Sequence, residues 1–132
     1  MEPQEYLAEI KARLVSSTVV TEMTVVEEYV LPDRGYFRAR LRLSNQDFLE
    51  VAEYFVVASG SCVTQRYRYQ WMDETQSVLR KRWDNVEHFS GLPNFPHHVH
   101  VGEEEHVEPG QAINIMELIA LIEQEQGRLD LA

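Results

Sequence analysis

The spacing of apolar positions along the chain opens on a helix. Residues 4–15, QEYLAEIKARLV, set Tyr6, Ile10 and Leu14 on one stripe at helical spacing, with Glu5, Glu9 and Arg13 elsewhere on the turn. From Thr18 to Val30 the β-branched run TVVTEMTVVEEYV favours a strand, and LPDRG after it supplies Pro32, Asp33 and Gly35 for a turn. YFRARLRL then alternates: Phe37, Ala39, Leu41 and Leu43 fall on one face and Arg38, Arg40 and Arg42 on the other, because strand side chains project with period two. A polar turn, SNQD, leads to FLEVAEYFVVA, and a loop, SGS, leads to CVTQRYRYQWM, where Tyr67, Tyr69 and Trp71 share a face opposite Arg66 and Arg68. DETQ is another turn and SVLRKRWDN another strand. Residues 86–111 lack periodicity and hold three prolines, three glycines and all five histidines, so they read as a long loop with one short extended piece at HHVHV. Loops of that length in a compact domain are usually functional or disordered. AINIMELIALIEQEQGRL, with Ile115, Leu118, Ile119 and Ile122 at helical spacing, predicts a closing helix stopped at Gly127. These elements predict an α+β fold, an antiparallel β-meander of about five strands with the N- and C-terminal helices packed on one face, in a single domain over residues 1–132.

Composition adds limits. A hydrophobic fraction of 44% with 26% charged residues is that of a folding chain. The lone Cys62 has no partner for a disulfide, zinc ribbon or redox pair, and this predicts a reducing, cytoplasmic location. The N-terminus is acidic and amphipathic, and no run approaches the roughly 18 apolar residues of a bilayer span, so neither export nor membrane insertion is expected. The net charge of −10 argues at first against a polyanionic partner, but it is unevenly spread: residues 1–33 carry −5, residues 34–82 carry +4 and residues 83–132 carry −9.

With the helices on the apolar face, Arg38, Arg40, Arg42, Arg66 and Arg68 are left facing water or a partner, and each guanidinium offers a fork of donors to phosphate. The competing expectation is cross-strand pairing with Glu22, Glu27, Glu50 or Glu53, a common way to populate a wet sheet face. The Tyr67, Tyr69, Trp71 row invites base stacking, but such rows are more often core. The closing helix carries Ile113, Ile115, Met116, Leu118, Ile119, Leu121 and Ile122 over more than one stripe, which leaves a homodimer and a well-buried helix as equal alternatives.

For the histidine segment three chemistries compete. In the first, His98 and His100 hold a divalent metal with His88, Asp84 or Glu87, although the spacing matches no specific metalloenzyme signature. In the second, the protein cleaves RNA without metal: a neutral imidazole takes the ribose 2′-hydroxyl proton, a protonated one supplies the leaving oxygen, and an arginine stabilises charge on phosphate. Arg80, Arg82, His88, His97, His98 and His100 are residues of the right type. In the third, the imidazoles merely pack and hydrogen-bond within a Pro-rich loop.

YRYQW, LRKRWDNVEHF and LPNFPHHVHVG, taken together, resemble the TumE family of small bacterial and archaeal toxins of toxin–antitoxin pairs. In that family a tyrosine-rich strand precedes an arginine, an aromatic, Asp-Asn and a histidine, and a Pro-His-His-x-His motif follows. Here these fall on Tyr67, Tyr69, Arg82, Trp83, Asp84, Asn85 and His88, then on Pro96, His97, His98 and His100. The motifs span residues 60–102, and size and element order agree over most of the chain. In one departure, the family often has two adjacent histidines after Asp-Asn, where this chain has His88 followed by Phe89. The resemblance implies a cytoplasmic toxin with a cognate antitoxin, and most small intracellular toxins act on RNA or translation. The expectation is therefore a ribonuclease needing no cofactor, with Arg82 stabilising phosphate, His88 and His98 or His100 as the acid–base pair, and Asp84 orienting an imidazole. Arg38, Arg40, Arg42, Arg66, Arg68 and Arg80 would bind the RNA. The alternative is a non-catalytic module that binds a metal or a partner through the histidine-rich loop.

Overall fold

A computed structural model describes residues 1–131, with side-chain burial described as far as Gly127. Helix α1 (Pro3–Ser16) is followed by strands β1 (Val20–Leu31), β2 (Arg34–Leu43), β3 (Phe48–Ala58), β4 (Ser61–Met72), β5 (Leu79–Asp84), β6 (His98–Val101) and β7 (Val107–Pro109), and helix α2 (Ile115–Leu131) closes the chain. The strands form one sheet in sequence order, each antiparallel to the next. The α+β meander is as expected, with seven strands rather than five. The two additional strands come from the segment read as a loop. The extended piece expected at HHVHV is β6, which joins the sheet because β5 offers it an edge, and the three-residue β7, too short to show a period, adds to β6 in turn.

Tyr6, Ile10 and Leu14 of α1 and Ile115, Leu118, Ile119 and Ile122 of α2 are buried on the same side of the sheet as Phe37, Ala39, Leu41, Leu49, Val51, Tyr69 and Trp83. The helices are joined by a two-pronged Arg13–Glu123 pair at 2.5 and 3.0 Å. A reciprocal cap starts α2: the Glu117 amide donates to Asn114 Oδ1 at 2.8 Å, and the Asn114 amide donates to Glu117 Oε1 at 3.0 Å. The helix continues past Gly127 to Leu131, so Gly127 does not stop it. Gly35 in β2 faces the core where a Cβ would lie 2.5 Å from the Phe55 ring. Among the described residues no helix is long and apolar enough to cross a membrane.

The aromatic row belongs to this core. Tyr67, Tyr69 and Trp71 are no more than 5% exposed, which removes them as a base-stacking platform. Met116, Leu121 and Ile113 pack against the same core, so the apolar width of α2 is used within the chain. Glu53 departs from its expected place opposite the arginines. In β3 it shares parity with Leu49, Val51 and Phe55, and it lies fully buried beneath α1 and the start of α2. Its carboxylate accepts from Tyr6 Oη (2.5 Å), Thr64 Oγ1 (2.9 Å), Tyr69 Oη (3.3 Å) and the Ile115 amide (3.0 Å). Burial raises its pKa above the ordinary value despite these four donors.

Candidate functional site

Trp83 of β5 and Val99 of β6 are cross-strand partners, and both face the core. Period two then sends their neighbours to the face the helices leave open: Arg82 lies opposite His100, and Asp84 opposite His98. The two motifs of the sequence thus become one block of four side chains. His98 Nε2 is 3.0 Å from Asp84 Oδ1, His100 Nε2 is 3.8 Å from Asp84 Oδ2, and Arg82 Nη2 is 3.2 Å from His100 Nε2. The imidazole centroids are 5.0 Å apart. Asn85 fixes the end of β5 by taking over ladder bonds to β4, accepting the Tyr67 amide at 3.1 Å and donating to the Gln65 carbonyl at 2.9 Å.

The partners set the protons. His98 Nδ1 faces the Pro96 carbonyl at 2.9 Å and its Nε2 faces a carboxylate, both acceptors, so both contacts are hydrogen bonds only when the ring carries two protons. His100 Nδ1 donates to the Glu104 carbonyl at 2.8 Å, while its Nε2 faces a guanidinium, which can only donate. The guanidinium contact calls for a lone pair on Nε2, although Asp84 Oδ2 also lies 3.8 Å from that nitrogen. One imidazole is arranged to give a proton and its neighbour to take one.

Two side chains cover the cluster. Phe89, at φ 62°, lays its ring edge-on over His98 and His100 at 5.1 and 6.0 Å, and the imidazoles are 2% and 4% exposed. A bulky residue in the left-handed region is unusual, and here that backbone carries the ring over the site. Glu104 grips both terminal nitrogens of Arg82. The carboxylate's hydrogen bonds raise the Arg82 pKa, and the guanidinium lowers that of Glu104. The sequence assigns no role to Glu104, which sits in a run of three glutamates that looks like a solvated turn, and marks Phe89 only as the residue standing where the family often has a second histidine.

The other expected residues divide. His88 is exposed, meets Phe89 at 6.0 Å and makes no side-chain hydrogen bond to the cluster among the described residues. His97 packs parallel to Tyr67, with Nδ1 2.9 Å from its hydroxyl, and burial first, then His98, lowers its pKa. His106 is exposed and paired with Glu108. Arg80 is the extra residue of a bulge and turns to Asp47 at 2.7 Å, which also accepts from Trp71 Nε1. Arg38 and Arg40 share Glu50, Arg42 reaches the Gln46 and Glu74 carbonyls, and Arg66 and Arg68 are exposed. Arg68 lies directly across from Asp84, so the basic strands run into the cluster.

A small antiparallel sheet, helices on one face and an Arg–Asp–His–His block on the other, defines an α+β protein whose uncovered face carries acid–base groups. A family model described as Toxin TumE matches residues 9–126, and the chain belongs to that family. It is the toxin component of a toxin–antitoxin pair, with an antitoxin as its partner. No curated protein and no solved structure matches it.

Proposed function

We propose that this toxin cleaves RNA without a metal, through the block of Arg82, Asp84, His98 and His100, in the cytoplasm where its substrate is. The meeting of two imidazoles in one buried cluster, His98 Nε2 against the Asp84 carboxylate and His100 Nε2 against the Arg82 guanidinium, carries the reading. His100 Nε2 takes the proton of a ribose 2′-hydroxyl, whose oxygen attacks the adjacent phosphorus. The bond from phosphorus to the 5′-oxygen breaks, and a protonated His98 turns its Nε2–H from Asp84 Oδ1 to that oxygen and gives up the proton, leaving a 2′,3′-cyclic phosphate, a 5′-hydroxyl and the 2′-hydroxyl proton on His100. Arg82 stabilises the charge on the phosphate oxygens, and Asp84 orients the His98 ring through its 3.0 Å contact with Nε2. Arg38, Arg40, Arg66 and Arg68 line the approach for the strand, and the exposed His88 lies beside Phe89. Phe89 and Glu104 both move aside for substrate to enter.

A second reading, a metal- or partner-binding module, has one observation in its favour. Donor atoms of Asp84, His98 and His100 lie within 4.8 Å of one another, and each imidazole donates Nδ1–H to a carbonyl, as metal ligands commonly do. Against it, the Arg82 guanidinium lies where a cation would meet His100 Nε2. Incubating the purified chain with mixed RNA, with and without chelator, separates the two. The proposal expects cyclic-phosphate ends in both samples and a loss of about 10²–10⁴-fold in His98→Ala. Metal retained through purification, with no cleavage, would establish the binder.

A further inference from the structure

The open sheet face has a second region away from the histidines. The cross-strand row Tyr29, Tyr36, Tyr54 and Arg66 runs over β1 to β4, and the next row outward is Leu31, Arg34, Val56 and Val63. Tyr29, Leu31 and Val63 are 41%, 41% and 46% exposed, and Tyr36, Tyr54 and Val56 are half-buried among them. These six form one contiguous apolar surface on a face that no helix covers. Scattered exposed apolar residues need no explanation, but a contiguous patch rimmed by charge does.

We propose that this patch is the docking site of the antitoxin, and that the antitoxin meets it with an apolar segment flanked by acidic side chains. The rim decides the charge. Arg34 and Arg66 lie within the two rows and Arg38 and Arg68 in the row beyond, which also holds Glu27 and Asp84; Arg34 pairs with Asp33 and Arg38 with Glu50, while Arg66 and Arg68 make no ion pair among the described residues and leave the rim basic there. Tyrosine and arginine around an apolar centre are the composition of a protein interface. A nucleic acid fits less well: Leu31, Val56 and Val63 give a base nothing to stack on, and Tyr29 and Tyr36 turn their faces to each other, with centroids 5.8 Å apart and planes at 29°.

Size then places the partner over the cluster. Strands ~4.8 Å apart and a rise of ~3.3 Å per residue make two rows across four strands roughly 15 by 10 Å, well short of the ~800 Å² that each side of a stable complex buries. A partner centred here therefore extends over the next row, which runs from Glu27 through Arg38, Ala52 and Arg68 to Asp84 and His98. Neutralisation is occlusion of the site. The inference rests on the toxin–antitoxin pairing and not on ribonuclease activity, so the two fail separately.

The test uses the full chain with its antitoxin, taken as the neighbouring gene's product that restores growth. Leu31→Glu/Val63→Glu and, separately, Arg34→Glu are compared with the parent for growth arrest, rescue by the antitoxin and binding in vitro. The expected result is arrest as in the parent, rescue lost for the double variant with affinity at least a hundredfold weaker, and roughly a tenfold loss for Arg34→Glu with a shallower salt dependence. Thermal melting identifies a misfolded double variant, in which case Arg34→Glu alone decides. Rescue and affinity within twofold of the parent would overturn the proposal. So would normal antitoxin binding combined with lost arrest, which makes the patch a substrate surface, or a wild-type dimer that the double variant dissociates, which makes it a contact between copies of this chain.

Discussion

Replacing Glu104 by alanine should strengthen phosphate binding. Its carboxylate occupies both outward nitrogens of Arg82, the two positions a phosphate would take, so substrate must first displace it. The side chain of Glu104 is 61% exposed and that of Arg82 12%, so the pair counts as a surface ion pair despite its two-pronged geometry, worth up to about 1 kcal/mol. Returned to binding, that is about a fivefold lower Kd for an uncleavable 2′-deoxy oligonucleotide, at the usual tenfold per 1.4 kcal/mol. The same factor should appear in KM for the ribo-oligonucleotide with kcat nearly unchanged, because Arg82 holds phosphate in both the bound and the transition state. His100 keeps its orientation, since its Nδ1–H is held by the backbone carbonyl of Glu104 and not by its carboxylate. The gain should shrink as salt screens the competing pair. Kd within twofold of the parent at low salt would refute the competition, and a tenfold fall in kcat at constant KM would place Glu104 in the chemistry instead.

Phe89→Ala should raise the rate at which His98 and His100 react with a histidine-modifying reagent by several-fold, at a stability cost of about 1 kcal/mol or less, because the ring is 44% exposed yet sits edge-on to both imidazoles; unchanged reactivity would show that something else covers them. Glu53→Leu should cost about 2–5 kcal/mol in a denaturant melt, since Tyr6 Oη and the Ile115 amide lose their buried acceptor. Its pH dependence has a definite sign. Burial raises the Glu53 pKa from 4.5, so the folded state holds the proton more tightly than the unfolded one, and this group's contribution to stability falls as pH rises from 4.5 towards the raised value. The deficit of the leucine variant should therefore narrow over that window, and a widening deficit would contradict the assignment.

Period two made the main faces readable. YFRARLRL places Phe37, Ala39, Leu41 and Leu43 in the core and the three arginines outside, as found. Glu53 was misplaced by its chemistry, not by its position: parity with Leu49, Val51 and Phe55 sends it inward, and the tyrosines that could satisfy it, Tyr6 and Tyr69, come from α1 and β4. The pairing of Glu50 with Arg38 and Arg40 could be anticipated as a class, but Arg80 could not, because a one-residue bulge leaves no mark on the pattern. The extended piece at HHVHV is β6, but β7 and the pairing of both strands with the sheet were unreadable because they are set by tertiary contact. The same holds for Glu104, whose role depends on where the turn after β6 returns.

The crowding of histidines follows from how the core sets register. In β6 His98 and His100 alternate with Val99 and Val101, and the apolar partner of Trp83 must be Val99 if the core is to close. A slip of one residue would point both imidazoles at the helices and leave the valines over Asp84 and Arg82, exchanging buried apolar area for buried polar atoms without partners. Core packing therefore selects the one register that faces Arg82 and Asp84 with the two histidines. Gly110 seals it from the other side, since its amide donates to the His97 carbonyl at 3.3 Å and a Cβ there would meet the His98 backbone at 3.1 Å. The imidazole pair is placed by an aromatic core on the opposite face of the sheet, and the loops on either side of β6 then fix the rings through the Pro96 and Glu104 carbonyls.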